Sequence, residues 1–290
     1  MAKQPRAIGG RVVAITGGAR GIGKATAAAL AREGATVAIG DIDLALAEAT
    51  AEELGPGVRA YHADVTRRSS FAEFLDSVER DLGPLDVLVN NAGIMPIGSL
   101  LEEDDATAHR LVDINVHGVI NGVKEALPRM LAHGGGHVVN LASVAGKAGF
   151  RHLATYCATK HAVVGLSESM RAELRGTAIE VTCVMPSLVN TELTSGIKAG
   201  RGVEKVEPED VGAAILRALR EPRFEVYVPR SVGRIKRVFD FLPRPLAEAL
   251  GRVLDADKVM TQADMGTRAA YERRIAQAEQ EPEQLEASEV

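Results

Sequence analysis

The chain has 290 residues, of which 46% are apolar and 25% charged, the proportions of a globular protein with room for a substantial core. Thirty-four basic against 39 acidic side chains leave a formal charge of −5, a poor electrostatic footprint for nucleic acid. No run approaches the ~20 apolar residues of a membrane-spanning helix, residues 1–10 carry no secretory signal, and two cysteines, Cys157 and Cys183, give no disulfide framework; a cytoplasmic protein is the expectation.

In chain order, short apolar runs alternate with longer helical patterns. Strands are predicted over 12–16, 36–40, 58–62, 86–90, 137–141, 179–185 and 225–228, most of them continuously apolar, as in strands covered on both faces. Helices are predicted over 24–32, 44–54, 71–82, 105–131, 155–175 and 208–220, with Gly34, Gly83-Pro84 and Gly134-Gly135-Gly136 where helices should stop. The alternation predicts an α/β fold: a Rossmann-type, doubly wound, parallel seven-stranded sheet with helices on both faces. Residues 8–230 form this domain. Residues 231–278 read as a helical C-terminal extension, and 279–290, with five Glu and no basic residue, as an acidic disordered tail.

The first strand runs into Thr16-Gly17-Gly18-Ala19-Arg20-Gly21-Ile22-Gly23. Glycines permit a tight turn and close backbone approach to a pyrophosphate, and the following helix N-terminus presents free N–H groups to that anion. A glycine trio between a first strand and a helix is a strong signal for a dinucleotide. Asp41 ends the second strand, where a carboxylate accepts the ribose hydroxyls of an adenosine and repels a 2′-phosphate, favouring NAD over NADP. Arg20 pulls towards NADP, and Asp41 or Asp43 can also cap the next helix.

Tyr156 and Lys160 stand four apart in a helical stretch, on one helix face. A neighbouring ammonium stabilises a phenolate and lowers its pKa, so the pair can exchange a proton with an alcohol or carbonyl oxygen. His133 and His137 bracket three glycines; the reading here is a surface loop, and no metal is required. Cys157 is read as a small apolar filler pointing elsewhere on the helix than Tyr156.

Taken together, Thr16-Gly-x-x-x-Gly-x-Gly23, Asp64-Val65, Asn90-Asn91-Ala92-Gly93, Asn115, Ser143, Tyr156-x-x-x-Lys160 and Pro186-x-x-x-x-Thr191 resemble the short-chain dehydrogenase/reductase family, in its main branch of roughly 250-residue enzymes. The resemblance spans about residues 8–230. It implies hydride exchange between a nicotinamide cofactor and an alcohol or carbonyl, in a homodimer or homotetramer. It also implies roles. Tyr156 would be the general acid/base, Lys160 would lower its pKa and hold the nicotinamide ribose, Ser143 would hydrogen-bond the substrate oxygen, and Asn115 would support a water linking Lys160 to solvent. Gly17, Arg20, Gly21, Ile22, Gly23 and Asp41 would hold the adenosine and pyrophosphate side. Asp64 and Val65 would meet the adenine, and Asn91, Ala92 and Gly93 would line the cofactor wall. Pro186, Val189 and Thr191 would flank the nicotinamide. One departure is visible: Ser187 follows the proline where the family commonly has glycine, and serine resists positive φ.

Substrate-facing positions are expected at 94–99, 144–153 and 188–206, with Ser143, Val144, Phe150, Leu153, Tyr156 and Leu188 as contacts and 188–206 as a mobile lid. The mostly apolar set favours a hydrophobic secondary alcohol or ketone, with no cation clearly placed to clamp an anion, although Arg151 and Lys147 are near. From Arg217 to Arg252 nine basic and four acidic residues accompany an amphipathic pattern that Pro243 and Pro245 should split. A cover for the substrate mouth or a subunit contact is preferred for 231–254 over peripheral contact with an anionic membrane. The leading reading is an NAD-dependent alcohol dehydrogenase. The alternatives are an NADP-preferring carbonyl reductase and a non-catalytic dinucleotide sensor, the latter opposed by the presence of Asn115, Ser143, Tyr156 and Lys160 together.

Overall fold

Alternate residues of the first strand, β1 (Val12–Thr16), enter different cores: Val13 and Ile15 on one face of the sheet, Val12 and Ala14 on the other. That is why the strand reads as continuously apolar rather than alternating. The computed structural model describes residues 5–198, 205–243, 245–246 and 261–277. It holds a seven-stranded parallel sheet, order β3-β2-β1-β4-β5-β6-β7, with β2 (Thr36–Asp41), β3 (Val58–His62), β4 (Val87–Asn90), β5 (Gly136–Leu141), β6 (Ile179–Pro186) and β7 (Glu225–Val228). One face is covered by α1 (Gly21–Arg32), α2 (Leu44–Leu54) and α7 (Pro208–Arg220), through Ala27, Leu30, Ala47, Val211 and Ile215. The other is covered by α3 (Arg68–Leu82), α5 (Gly118–Ala132) and α6 (Ala154–Glu173), through Phe71, Phe74, Val123, Met130 and Val163. The α/β architecture is the expected one.

Three differences from the sequence reading have physical causes. Helix α1 begins at Gly21, not Lys24, because the end of the glycine turn is already its first helical turn. The predicted helix over 105–131 is α4 (Asp105–Val112), a π-helical turn over Asp113–His117, and α5. Such a turn leaves the apolar periodicity almost intact and is silent in the sequence, yet it tends to mark functional sites. Finally, His137 is not in a surface loop. Strand β5 begins at Gly136, and His137 is buried with its Nε2 2.8 Å from Thr182 Oγ1. His133, at the end of α5, is exposed.

Beyond β7, α8 (Arg230–Asp240) leaves Ile235 and Val238 exposed, and α9 (Met265–Gln277) returns to the carboxyl edge of the sheet. The expected tail at 279–290, part of the extension and residues 199–204 of the expected lid lie outside the described residues. Among the described residues no helix is long and apolar enough to cross a membrane.

Burial lowers the His137 pKa from its ordinary 6.5 to about 3, and the nearby Arg6 adds to this. The folded chain therefore resists a proton that the unfolded chain accepts below about pH 6.5, so this residue's contribution to stability falls as pH drops from 6.5 towards 3. His137→Leu leaves the Thr182 hydroxyl its bond to the Arg223 carbonyl. The variant is expected to lose stability less steeply between pH 6.5 and 4 in urea melts; an unchanged slope would count against this.

Candidate active site

In a parallel sheet the loops that leave the carboxyl ends of the strands share one edge, and here the strand order reverses between β1 and β4, the position where open α/β sheets form a ligand crevice. The glycine turn lies there. Gly17 takes φ +63°, and a Cβ on Gly23 would fall 2.2 Å from the Gly17 carbonyl oxygen. Helix α1 has no side-chain cap and no acid in its first turn, so no side chain competes for its leading N–H groups. Asn91 secures the turn, donating from Nδ2 to the carbonyls of Thr16 and Gly17, both at 2.9 Å. Thr16 Oγ1 in turn accepts from the N–H of Asn91 and of Ala92. The cradle fits a pyrophosphate.

Asp41 and Asp43 divide the tasks that the sequence left open. Asp43 caps α2, accepting from Leu46 N–H at 3.1 Å. Asp41 is buried at the end of β2 and accepts from Ala19 N–H at 3.1 Å and Asp43 N–H at 3.2 Å. Arg20 is paired with Asp43 at 2.9 Å and Glu192 at 3.4 Å. Asp64 folds back on its own loop, accepting from Thr66 N–H and Oγ1, with Val65 buried beside it.

Asn115 sits in the π-helical turn, fully buried. Its Oδ1 accepts from Ile94 N–H at 2.9 Å, and its Nδ2 donates to the Ile94 carbonyl at 3.0 Å and to Thr159 Oγ1 at 3.1 Å. A Cβ on Gly93 would lie 3.1 Å from Asn115 Oδ1 and 3.5 Å from Lys160 Nζ, so the loop after β4 passes between them. Lys160 is buried, donates to the Leu141 carbonyl at the end of β5 (3.0 Å), and holds its ammonium 5.7 Å from the centre of the Tyr156 ring. Ser143 follows β5 and accepts from Ala145 N–H at 3.1 Å.

Burial dominates at Tyr156 and pushes its pKa well above the ordinary phenol value, against a smaller opposing effect of its hydrogen bond with Ser143. Lys160 donates to the Leu141 carbonyl and is itself desolvated, which brings its own pKa down to about 8.

Val189 is buried after β6 and paired with Val206, and a Cβ on Gly21 would meet Thr191 Cγ2 at 3.3 Å, which sets the Thr191 methyl against the glycine turn. Pro186 ends β6. Ser187 donates its N–H to the Val228 carbonyl at 2.8 Å, and among the described non-glycine residues only His152 has a positive φ, so the departure at Ser187 brings no backbone strain.

Leu153, Tyr156, Phe150 and Leu188 gather in one apolar cluster with Ile94, Met95 and Ile97; Val144 is half-buried outside it. Cys157, expected to point elsewhere, joins the same cluster. Lys147 faces away, bound to Glu168 at 3.1 Å and Glu225 at 3.2 Å. The sequence reading expected a helical extension over 231–278 but gave α9 no role at the site. Tyr271 accepts from Met95 N–H at 2.8 Å, and the fully buried Arg268 donates to the Met95, Leu193 and Ser195 carbonyls.

Comparison with known proteins agrees with this geometry. The family model described as short chain dehydrogenase matches residues 11–202. A 2-(S)-hydroxypropyl-CoM dehydrogenase 3 of Xanthobacter autotrophicus is 42% identical over 183 residues, 62% of this chain and 72% of that protein. A sorbitol dehydrogenase of Cereibacter sphaeroides is 39% identical over 215 residues, 71% of this chain and 83% of that one. A crystal structure of a short chain dehydrogenase/reductase from Burkholderia phymatum in complex with NAD superposes with a TM-score of 0.74 at 27% identity, covering 80% of this chain and 93% of that one.

The buried ammonium has a measurable cost. Lys160 holds its proton to about pH 8 in the folded chain and to its ordinary 10.5 when unfolded, so its penalty is largest below pH 8 and vanishes as pH rises past 10.5. Lys160→Met is expected to be more stable than the parent at pH 7, by as much as roughly 3 kcal/mol on the linkage scale, with the gap closing between pH 8 and 10.5. Urea unfolding across that range tests it, and equal stability at pH 7 would refute it.

Proposed function

The chain belongs to the short-chain dehydrogenase/reductase family of nicotinamide-dependent oxidoreductases, and on that premise we propose that it is an NAD-dependent enzyme interconverting a hydrophobic secondary alcohol and its ketone. The observation that carries this reading is the meeting of Ser143, Tyr156, Lys160 and Asn115 beside an uncapped glycine turn, with an apolar cluster against Tyr156.

A bound nicotinamide supplies the redox chemistry as hydride acceptor or donor; the chain supplies position and proton transfer. Gly17, Arg20, Gly21, Ile22 and Gly23 would seat the pyrophosphate, Asp41 the adenosine ribose, and Asp64 and Val65 the adenine. Asn91, Ala92, Gly93, Pro186, Val189 and Thr191 would enclose the nicotinamide. Tyr156 would give its phenolic proton to the carbonyl oxygen in reduction and take it back from the alcohol in oxidation, with Ser143 donating a hydrogen bond to the same oxygen. A phenol whose pKa burial has raised stays protonated at neutral pH but is a weaker acid than an ordinary phenol. To act as a base it needs positive charge nearby, and Lys160, still largely protonated at pH 7, is the group placed to provide it. Stabilisation of charge developing on that oxygen is worth most in the transition state.

Asp41 supports NAD over NADP, since its carboxylate ends β2 against the glycine turn, bonded to Ala19 N–H, and Arg20 is already engaged by two acids. The two named relatives carry polar alcohols in their names; the preference for an apolar substrate rests on the apolar cluster around Tyr156. The exposed Ile235 and Val238 on α8 support a subunit contact in a homodimer or homotetramer.

Two variants test the reading through absorbance at 340 nm with a panel of lipophilic secondary alcohols. Tyr156→Phe is expected to lose turnover by roughly 10²–10⁴-fold while still binding NAD; undiminished turnover refutes the assigned role. Asp41→Asn, which removes charge but keeps an acceptor, is expected to shift the NAD-to-NADP ratio of kcat/KM towards NADP by at least about tenfold, on the scale of one like-charge contact. An unchanged ratio would mean that Asp41 does not set the cofactor choice.

A further inference from the structure

Helix α9 holds the Met95 peptide from both sides. Its amide N–H donates to the Tyr271 phenol oxygen at 2.8 Å, and its carbonyl accepts from Arg268. Arg268 is 0% exposed; it also donates to the Leu193 carbonyl at 2.8 Å and the Ser195 carbonyl at 3.3 Å, and is paired with Glu272 at 2.6 Å. One guanidinium thus binds the loop after β4, the loop after β6 and α9 together. The guanidinium carbons of Arg268 and Arg274 lie 4.7 and 5.4 Å from the centre of the Tyr271 ring, within cation–π reach of it.

Tyr271 is only 5% exposed. Its oxygen is used as an acceptor by Met95, but its own proton meets no acceptor among the described residues. A buried donor left unpaired is costly, and in a native fold such a group calls for a partner. Met95, which it touches, belongs to the apolar cluster that contains Tyr156, Leu153 and Ile197.

We propose that Tyr271 is a substrate-binding residue, donating its phenolic proton to an oxygen of the substrate remote from the reacting carbinol, and that Arg268 is the positioning residue that holds it there. The substrate class is then an apolar secondary alcohol carrying a second, uncharged acceptor oxygen: a hydroxyketone, a hydroxy ester or a hydroxy ether. A carboxylate is disfavoured, because the Arg268 charge is already balanced by Glu272. This rests on the reading of the apolar cluster as the substrate site.

The test compares decan-2-ol with 9-hydroxydecan-2-one, which share a carbon skeleton and differ by the remote oxygen. Their dissociation constants are measured by calorimetry on the NAD-saturated full chain. The parent is expected to bind the hydroxyketone more tightly by about threefold to tenfold, one neutral hydrogen bond. Tyr271→Phe keeps the ring within reach of its two guanidiniums and is expected to bind both compounds equally. Arg268→Lys, which removes the fork, is expected to weaken both. Equal binding by the parent, or a preference that survives in Tyr271→Phe, overturns the role of Tyr271; unweakened binding in Arg268→Lys overturns the role of Arg268. NADH formation is read separately. A preference lost in Tyr271→Phe without any NADH from the parent would keep this binding site and refute the dehydrogenase reading.

Discussion

A desolvated ammonium under the carboxyl edge of the sheet is the constraint on which the catalytic side depends. Lys160 has the Leu141 carbonyl as its direct hydrogen-bond partner, and no carboxylate balances it among its described contacts. A buried charge in that state is destabilising on its own. The fold tolerates it by surrounding it with rigid parts: the end of β5, the Gly93 backbone, and the Asn115 amide locked to Ile94 and Thr159. The π-helical turn belongs to the same arrangement, since it sets fully buried Asn115 within reach of the loop after β4.

The cofactor side is organised by acids rather than by this cation. Asp41 spends both carboxylate oxygens on backbone N–H groups of the turn and of the following loop. Glu192 bridges Arg20 of the glycine turn and Arg274 of α9. Burial alone would raise the Glu192 pKa, but the two arginines outweigh it and hold the carboxyl below its ordinary value. Each of these pairs is partly exposed and worth little by itself. Their effect is geometric: the glycine turn, the loop after β6 and the C-terminal helix are joined through one carboxylate.

The sheet was legible because its strands are apolar on both faces, and the cofactor cradle because three glycines between a strand and a helix bring backbone N–H groups up to a phosphate. The pairing of Tyr156 and Lys160 was legible because a tyrosine and a lysine four apart share a helix face whatever surrounds them. What stayed hidden depended on solvation. Spacing alone placed Lys160 beside Tyr156 and suggested a lowered phenol pKa, whereas burial, which sequence does not display, moves it the other way. His137 and Arg268 look like surface residues by type, yet both are buried; Arg268 is satisfied by carbonyls more than seventy positions away in the chain, and no local pattern encodes such partners.

The C-terminal segment therefore cannot be read as an appendage. α9 supplies two groups to the Met95 peptide; Met95 follows Ile94, and Ile94 clasps Asn115, whose amide reaches Thr159, and Thr159 donates to the Tyr156 carbonyl. Every link in that path is a hydrogen bond or a peptide unit. Movement of α9 would loosen the loop that carries Gly93 past Lys160 before it disturbed the sheet, because the sheet is held by its own ladder and two apolar cores. The extension thus bears directly on the loop between β4 and Asn115, to which Arg268 and Tyr271 are bonded.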